Sequence, residues 1–127
     1  MMIRVGFELS SVDAKRLRIM LDALVRLDLL ELQQRRYPDL YKSGVKYERE
    51  PKEPGRFERW KTISDLMRTG VGDCEDLASA RVAQLRMMGI RAVPWLKRRN
   101  NTWHVVVRYP NGRIEDPSRR LGMGRKE

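Results

Sequence analysis

Apolar positions along this 127-residue chain change period as it proceeds. Ile3, Val5 and Phe7 alternate with polar or small residues, which predicts a short first strand. Leu17, Met20, Leu21, Leu24, Leu27 or Leu29, and Leu32 then recur at helical spacing. They predict a helix over 12–35, capped by Ser10 or Ser11 with Asp13 in its first turn and ended by Tyr37-Pro38. Residues 38–56 carry Gly44, Pro51, Pro54 and Gly55 among charges. Tyr41, Val45 and Tyr47 mark them as a loop pinned to the body rather than a linker. Phe57, Trp60, Ile63, Leu66 and Met67 predict a second helix over 57–69, stopped by Gly70 and Gly72. Leu77, Ala78, Val82, Leu85 and Met88 predict a third over 74–88, stopped by Gly89.

Beyond Gly89 the pattern becomes one of strands, over 90–96, 103–109 and 113–116. Pro94 places the first near a sheet edge or a bulge, and Arg99-Asn100-Asn101 forms a turn. The last connection is the most informative. Tyr109-Pro110-Asn111-Gly112 suits a type I turn followed by a left-handed glycine, the three-residue hairpin loop with a bulge. That loop pairs residues whose numbers total 222, so Asp116 lies opposite Val106 and diagonal to His104 on the same face. A two-residue Asn111-Gly112 turn pairs totals of 223 and sends Asp116 to the other face.

Composition narrows the class. One domain is the expectation at this length, with 1–56 as a helical extension and loop and 57–122 as the core. No apolar run approaches a membrane span, and Met1-Met2-Ile3-Arg4-Val5-Gly6 does not resemble a secretory signal. A single cysteine leaves no internal disulfide, in keeping with a cytoplasmic protein. The net charge is +10, and residues 91–127 hold ten Lys/Arg against three Asp/Glu, a local +7. That excess suits an anionic partner, such as nucleic acid or an acidic peptide, or else a solvated basic face.

The one cysteine, Cys74, stands in Gly72-Asp73-Cys74-Glu75-Asp76, where a loop becomes a helix; the one histidine, His104, stands in a strand. Thiol, imidazole and the Asp116 carboxylate are the parts of nucleophilic acyl chemistry. In that reading His104 takes the Cys74 proton and Asp116 orients the imidazole. A helix N-terminus favours a thiolate and can hold an oxyanion. Asp73 suits the N-cap and Asp76 a shortened capping box, although carboxylates beside a thiolate oppose its ionisation. The Cys74 backbone N–H is one candidate oxyanion donor. Trp60 or Trp103 is the candidate second, while Gln84 lies too far along the helix. Each residue has a plainer alternative: an inert buried thiol, a packed histidine, an Asp-Pro turn, indoles in a core.

Together these motifs, with Leu85-Arg86-Met87-Met88-Gly89-Ile90-Arg91-Ala92, Trp103-His104-Val105 and Asn111-Gly112-Arg113-Ile114-Glu115-Asp116-Pro117, resemble the transglutaminase-like superfamily, a papain-like branch of the cysteine proteases. The whole chain further resembles small members encoded by bacteriophages and prophages, through Tyr41–Tyr47 and Asp116–Met123. The resemblance implies an α+β fold, helices packed on a small antiparallel sheet, with Cys74 at a central helix N-terminus. It implies Cys74 as nucleophile, His104 as base and Asp116 as orienting acid, acting on a peptide or protein amide without a cofactor. One Cys and one His cannot supply the usual soft metal ligands, so no metal is expected. The alternatives are a basic binding or virion protein with an idle triad, and an assembly protein that oligomerises through the long helix.

Overall fold

The long amphipathic helix forms, and its cap differs from the expected one. In a computed structural model that describes residues 2–5, 13–50, 58–100 and 102–124, α1 spans Ala14–Gln34. Asp13 is its N-cap, accepting the Arg16 N–H at 2.9 Å. Ser10, Ser11 and Phe7 lie outside the described residues. Strand β1 (Met2–Val5) pairs antiparallel with β3 (Glu58–Lys61), and β2 (Lys46–Tyr47) pairs parallel with β4 (Val71–Gly72). Helix α2 (Ile63–Thr69) joins β3 to β4, and α3 (Cys74–Met87) follows directly. A three-stranded antiparallel sheet in the order β5 (Val93–Arg99), β6 (Thr102–Arg108), β7 (Ile114–Glu115) leads into α4 (Pro117–Arg120).

The architecture is α+β, with helices on a small antiparallel sheet. Leu17, Leu21, Leu24 and Val25 of α1 are buried in one core with Ala78, Val82 and Ala83 of α3 and Val105 and Val107 of β6. Each fully buried aliphatic side chain contributes about 1.5–3 kcal/mol, more than the ~1 kcal/mol of a helix cap, so packing rather than capping holds α1 in place. A second cluster joins Leu40 and Val45 to Ile63, Leu66, Leu77 and Ala80. The loop expected over 38–56 is therefore pinned over 38–50, and 51–56 lie outside the described residues. Leu40 donates its N–H to Gln84 Oε1 at 2.9 Å, and Gln84 Nε2 donates to the Pro38 carbonyl at 2.8 Å.

Two sequence expectations are corrected. The predicted helix over 57–69 starts only at Ile63, and residues 58–61 are strand. Trp60 sits opposite Ile3 in the β1–β3 pair and is 1% exposed, so pairing with a distant segment overrides the local helical spacing. The first late strand is displaced from 90–96 to Val93–Arg99, because pairing with β6 continues to Arg99 opposite Thr102. Asn100, at φ 47°, takes the turn that was expected to begin at Arg99. Pro94 does lie on an edge strand.

Helix α2 is capped from across the core. Its N-cap residue Thr62 makes no side-chain cap bond. Instead Asp28 Oδ1 accepts the Ile63 N–H at 2.7 Å, and Glu31 Oε1 accepts the Ser64 N–H at 2.9 Å, both from α1. Asp28 is fully buried, its Oδ2 has no hydrogen-bond partner among the described residues, and burial pushes its carboxyl well above the usual range. A raised native pKa gives stability that is present below the unfolded carboxylate pKa and lost as pH rises through the native one. Asp28→Asn keeps the acceptor and removes the ionisation. We expect its stability to decline less than wild type from pH 5 to 8 in urea melts, whereas Asp28→Ala, leaving Ile63 N–H unsatisfied, loses about 1–3 kcal/mol. A wild-type slope in Asp28→Asn would rule this out.

Candidate active site

Cys74 is the first residue of α3, placed by a strand–turn–helix junction with no room for error at Gly72. A Cβ on Gly72 would collide with Leu66 Cδ1 and come within 3.2 Å of Asp76 Cβ, so the motif glycine is a packing requirement. Asp73 and Asp76 form the expected capping box. Asp76 Oδ2 accepts the Asp73 N–H at 3.1 Å, and its Oδ1 accepts the Lys61 N–H at 2.8 Å, tying α3 to β3. Burial pushes the Asp76 carboxyl up to about 8, with these two N–H donors opposing.

His104 and Asp116 meet. The β6–β7 register pairs Val107 with Glu115 and Arg108 with Ile114, both totalling 222, and Gly112 takes φ 87° as the bulged hairpin requires. His104 Nε2 and Asp116 Oδ2 are 2.9 Å apart. Burial raises the Asp116 pKa, but the hydrogen bond and charge of His104 outweigh it and hold the carboxyl below its usual range. Asp116 also caps α4, accepting the Arg119 N–H at 3.3 Å.

Cys74 and His104 both line a cleft of about 500 Å³, with Trp103 and Tyr47 on its walls. Trp103 carries the Arg98 guanidinium 5.1 Å from its ring centroid. Trp60, by contrast, does not line the cleft and is part of the core beneath. The Cys74 N–H, expected to face an oxyanion, donates instead to Asp73 Oδ1 at 2.7 Å. Gln84 is occupied with the Leu40 loop.

The thiol itself departs from expectation. Burial, then Glu75 and Asp73, push the Cys74 pKa well up, and the Val105 N–H only partly opposes them. Cys74 Sγ donates to Glu75 Oε2 at 3.4 Å, and Glu75 is 1% exposed. The helix N-terminus therefore does not win against two neighbouring carboxylates in a dry site, and the resting group is a neutral thiol. Ligand atoms of Asp73, Cys74 and Glu75 lie within 4.8 Å of one another. Both Asp73 oxygens in that trio already accept backbone N–H groups, from Cys74 and Glu50.

Two features escaped the sequence reading. Glu75 turns its carboxylate to the sulfur and accepts its hydrogen. Glu115 anchors β7: it accepts from Tyr41 Oη at 2.5 Å, Tyr109 Oη at 2.7 Å and Arg81 Nε at 2.7 Å. Alternation carried a hint, because a register that turns Asp116 toward His104 turns Glu115 to the opposite face, where it requires a cation.

Glu75→Gln keeps the shape and removes the charge nearest the sulfur. The thiol inflection in the iodoacetamide rate–pH profile of Cys74 should move down by about one pH unit. An unmoved or rising inflection would show that Glu75 does not govern this thiol.

The family model described as the transglutaminase-like superfamily matches residues 31–112, which is 82 of the 127 residues. No curated protein and no solved structure matches the chain.

Proposed function

The chain belongs to the transglutaminase-like superfamily, and we propose on that premise that it is a cysteine-dependent amide hydrolase or acyltransferase working through Cys74, His104 and Asp116. The observation that carries the reading is that His104, held by Asp116 at 2.9 Å, lines the same cleft as the only cysteine.

Because burial and Glu75 keep the thiol neutral at rest, proton transfer accompanies attack rather than preceding it. Cys74 Sγ bonds to the carbonyl carbon of an amide while His104 takes the thiol proton. Asp116 bonds to His104 Nε2, which leaves Nδ1 as the nitrogen that exchanges the proton, and it stabilises the imidazolium. The tetrahedral intermediate collapses, the C–N bond breaks, and His104 returns the proton to the departing amine. The thioester is then opened by water, giving a carboxylic acid, or by a second amine, giving a new amide. Either route restores the thiol. The Cys74 N–H serves the oxyanion only as it exchanges Asp73 Oδ1 for the substrate oxygen.

The raised thiol and the engaged Cys74 N–H favour one rival, a binding protein that has kept the fold with an idle triad. The two readings diverge in Cys74 alkylation. We expect a wild-type rate–pH profile with an inflection below that of the thiol itself, absent in His104→Ala. Amide turnover should fall about 10²–10⁴-fold in His104→Ala and by less in Asp116→Asn. A profile identical in wild type and His104→Ala would sink the catalytic reading and leave the binding protein. Product analysis with and without added amine identifies the acceptor.

A further inference from the structure

The charges around the cleft are not interchangeable. Its two carboxylates are turned toward the backbone: both Glu50 oxygens accept the Arg59 N–H, at 2.8 and 3.1 Å. Asp73 accepts from Cys74 at 2.7 Å and from Glu50 at 3.1 Å. Its two arginines are not so committed. Arg49 follows β2, Arg99 ends β5, and both are exposed. Neither has a carboxylate partner among the described residues, although Arg81, Arg68 and Arg120 elsewhere in the chain all do. An arginine with no carboxylate partner is a bidentate donor for an incoming anion. One guanidinium therefore comes from each of the two segments flanking the Cys74–His104 end, and a cleft of about 500 Å³ admits a short stretch of peptide.

We infer that this cleft selects acidic peptides, holding a substrate carboxylate near the reacting carbonyl between Arg49 and Arg99. The inference rests on the proposed acyl chemistry of Cys74 for its function, and its geometry can be tested apart from that chemistry. It also gives the chain's net charge of +10 a local use at the site.

The first test compares alkylation of Cys74 by iodoacetate and by iodoacetamide at one pH and low salt. Their rate ratio cancels differences in thiol nucleophilicity and reports the local field. The ratio should exceed that of a free cysteine peptide, fall about three-fold with each of Arg49→Gln and Arg99→Gln, and collapse in 0.5 M salt. A ratio unaffected by both substitutions overturns the inference, even if iodoacetamide alone still reveals a His104-dependent thiol. Loss of that His104 dependence with the ratio intact would instead overturn the catalytic reading and leave the anion site standing.

If the thiol reacts too slowly for a ratio, the Trp103 indole N–H shift in NMR titrations decides. N-acetylglutamate α-amide carries only the side-chain carboxylate, N-acetylglutamine only the terminal one, and N-acetylglutamine amide neither. Stronger binding of the first or second in wild type, lost in Arg49→Gln/Arg99→Gln, supports the site and identifies which carboxylate it takes. Equal binding of all three overturns it.

Discussion

One buried carboxylate joins the pieces on which the site depends. Asp76, 2% exposed, receives the Asp73 N–H of its own helix cap and the Lys61 N–H at the end of β3. The first bond starts α3 at Cys74; the second ties that start to the strand carrying Trp60 into the core. Beside it, Asp73 Oδ2 receives the Glu50 N–H, so the cleft-lining segment after β2 hangs from the same junction. Leaving such donors unsatisfied away from water costs about 1–3 kcal/mol each, a large share of the stability of a small domain. The position of the sulfur is thus set by backbone hydrogen bonds as much as by apolar packing.

The other half of the site hangs on the hairpin. Asp116 meets His104 only because the Tyr109–Gly112 loop sets a register totalling 222. Glu115 locks that register from the opposite face, through Tyr41, Tyr109 and Arg81. Arg81 belongs to α3, the helix that begins with Cys74. One rigid helix therefore carries the cysteine at its first turn and grips the strand that presents Asp116 farther along.

Electrostatically the site opposes the character of the chain. A protein of net charge +10 surrounds its one thiol with Asp73 and Glu75, and the sulfur stays protonated. Guanidinium groups with no carboxylate partner among the described residues stand at the cleft's edge, at Arg49 and Arg99. A neutral thiol resists adventitious oxidation and alkylation, because the thiolate is the reactive form.

Local rules were enough for the features that local rules control. The period of α1, the Asp73–Asp76 cap, the Gly89 stop and the hairpin register all follow from side chains within a few residues of one another, and all were readable in the chain. Only the tertiary structure decided the rest. Residues 58–61 became strand because β1, more than fifty residues away in the chain, supplied hydrogen-bond partners. The cap of α2 came from Asp28 and Glu31 on α1, and the grip on β7 came from Arg81. The state of Cys74 was decided the same way. Its helix position was visible in the motif, but the burial that overrides the helix dipole exists only in the folded chain, where Val105 of β6 brings its N–H to the sulfur. Spacing along a chain determines which side chains share a face; which faces meet, and how dry they become, is set by packing between distant segments.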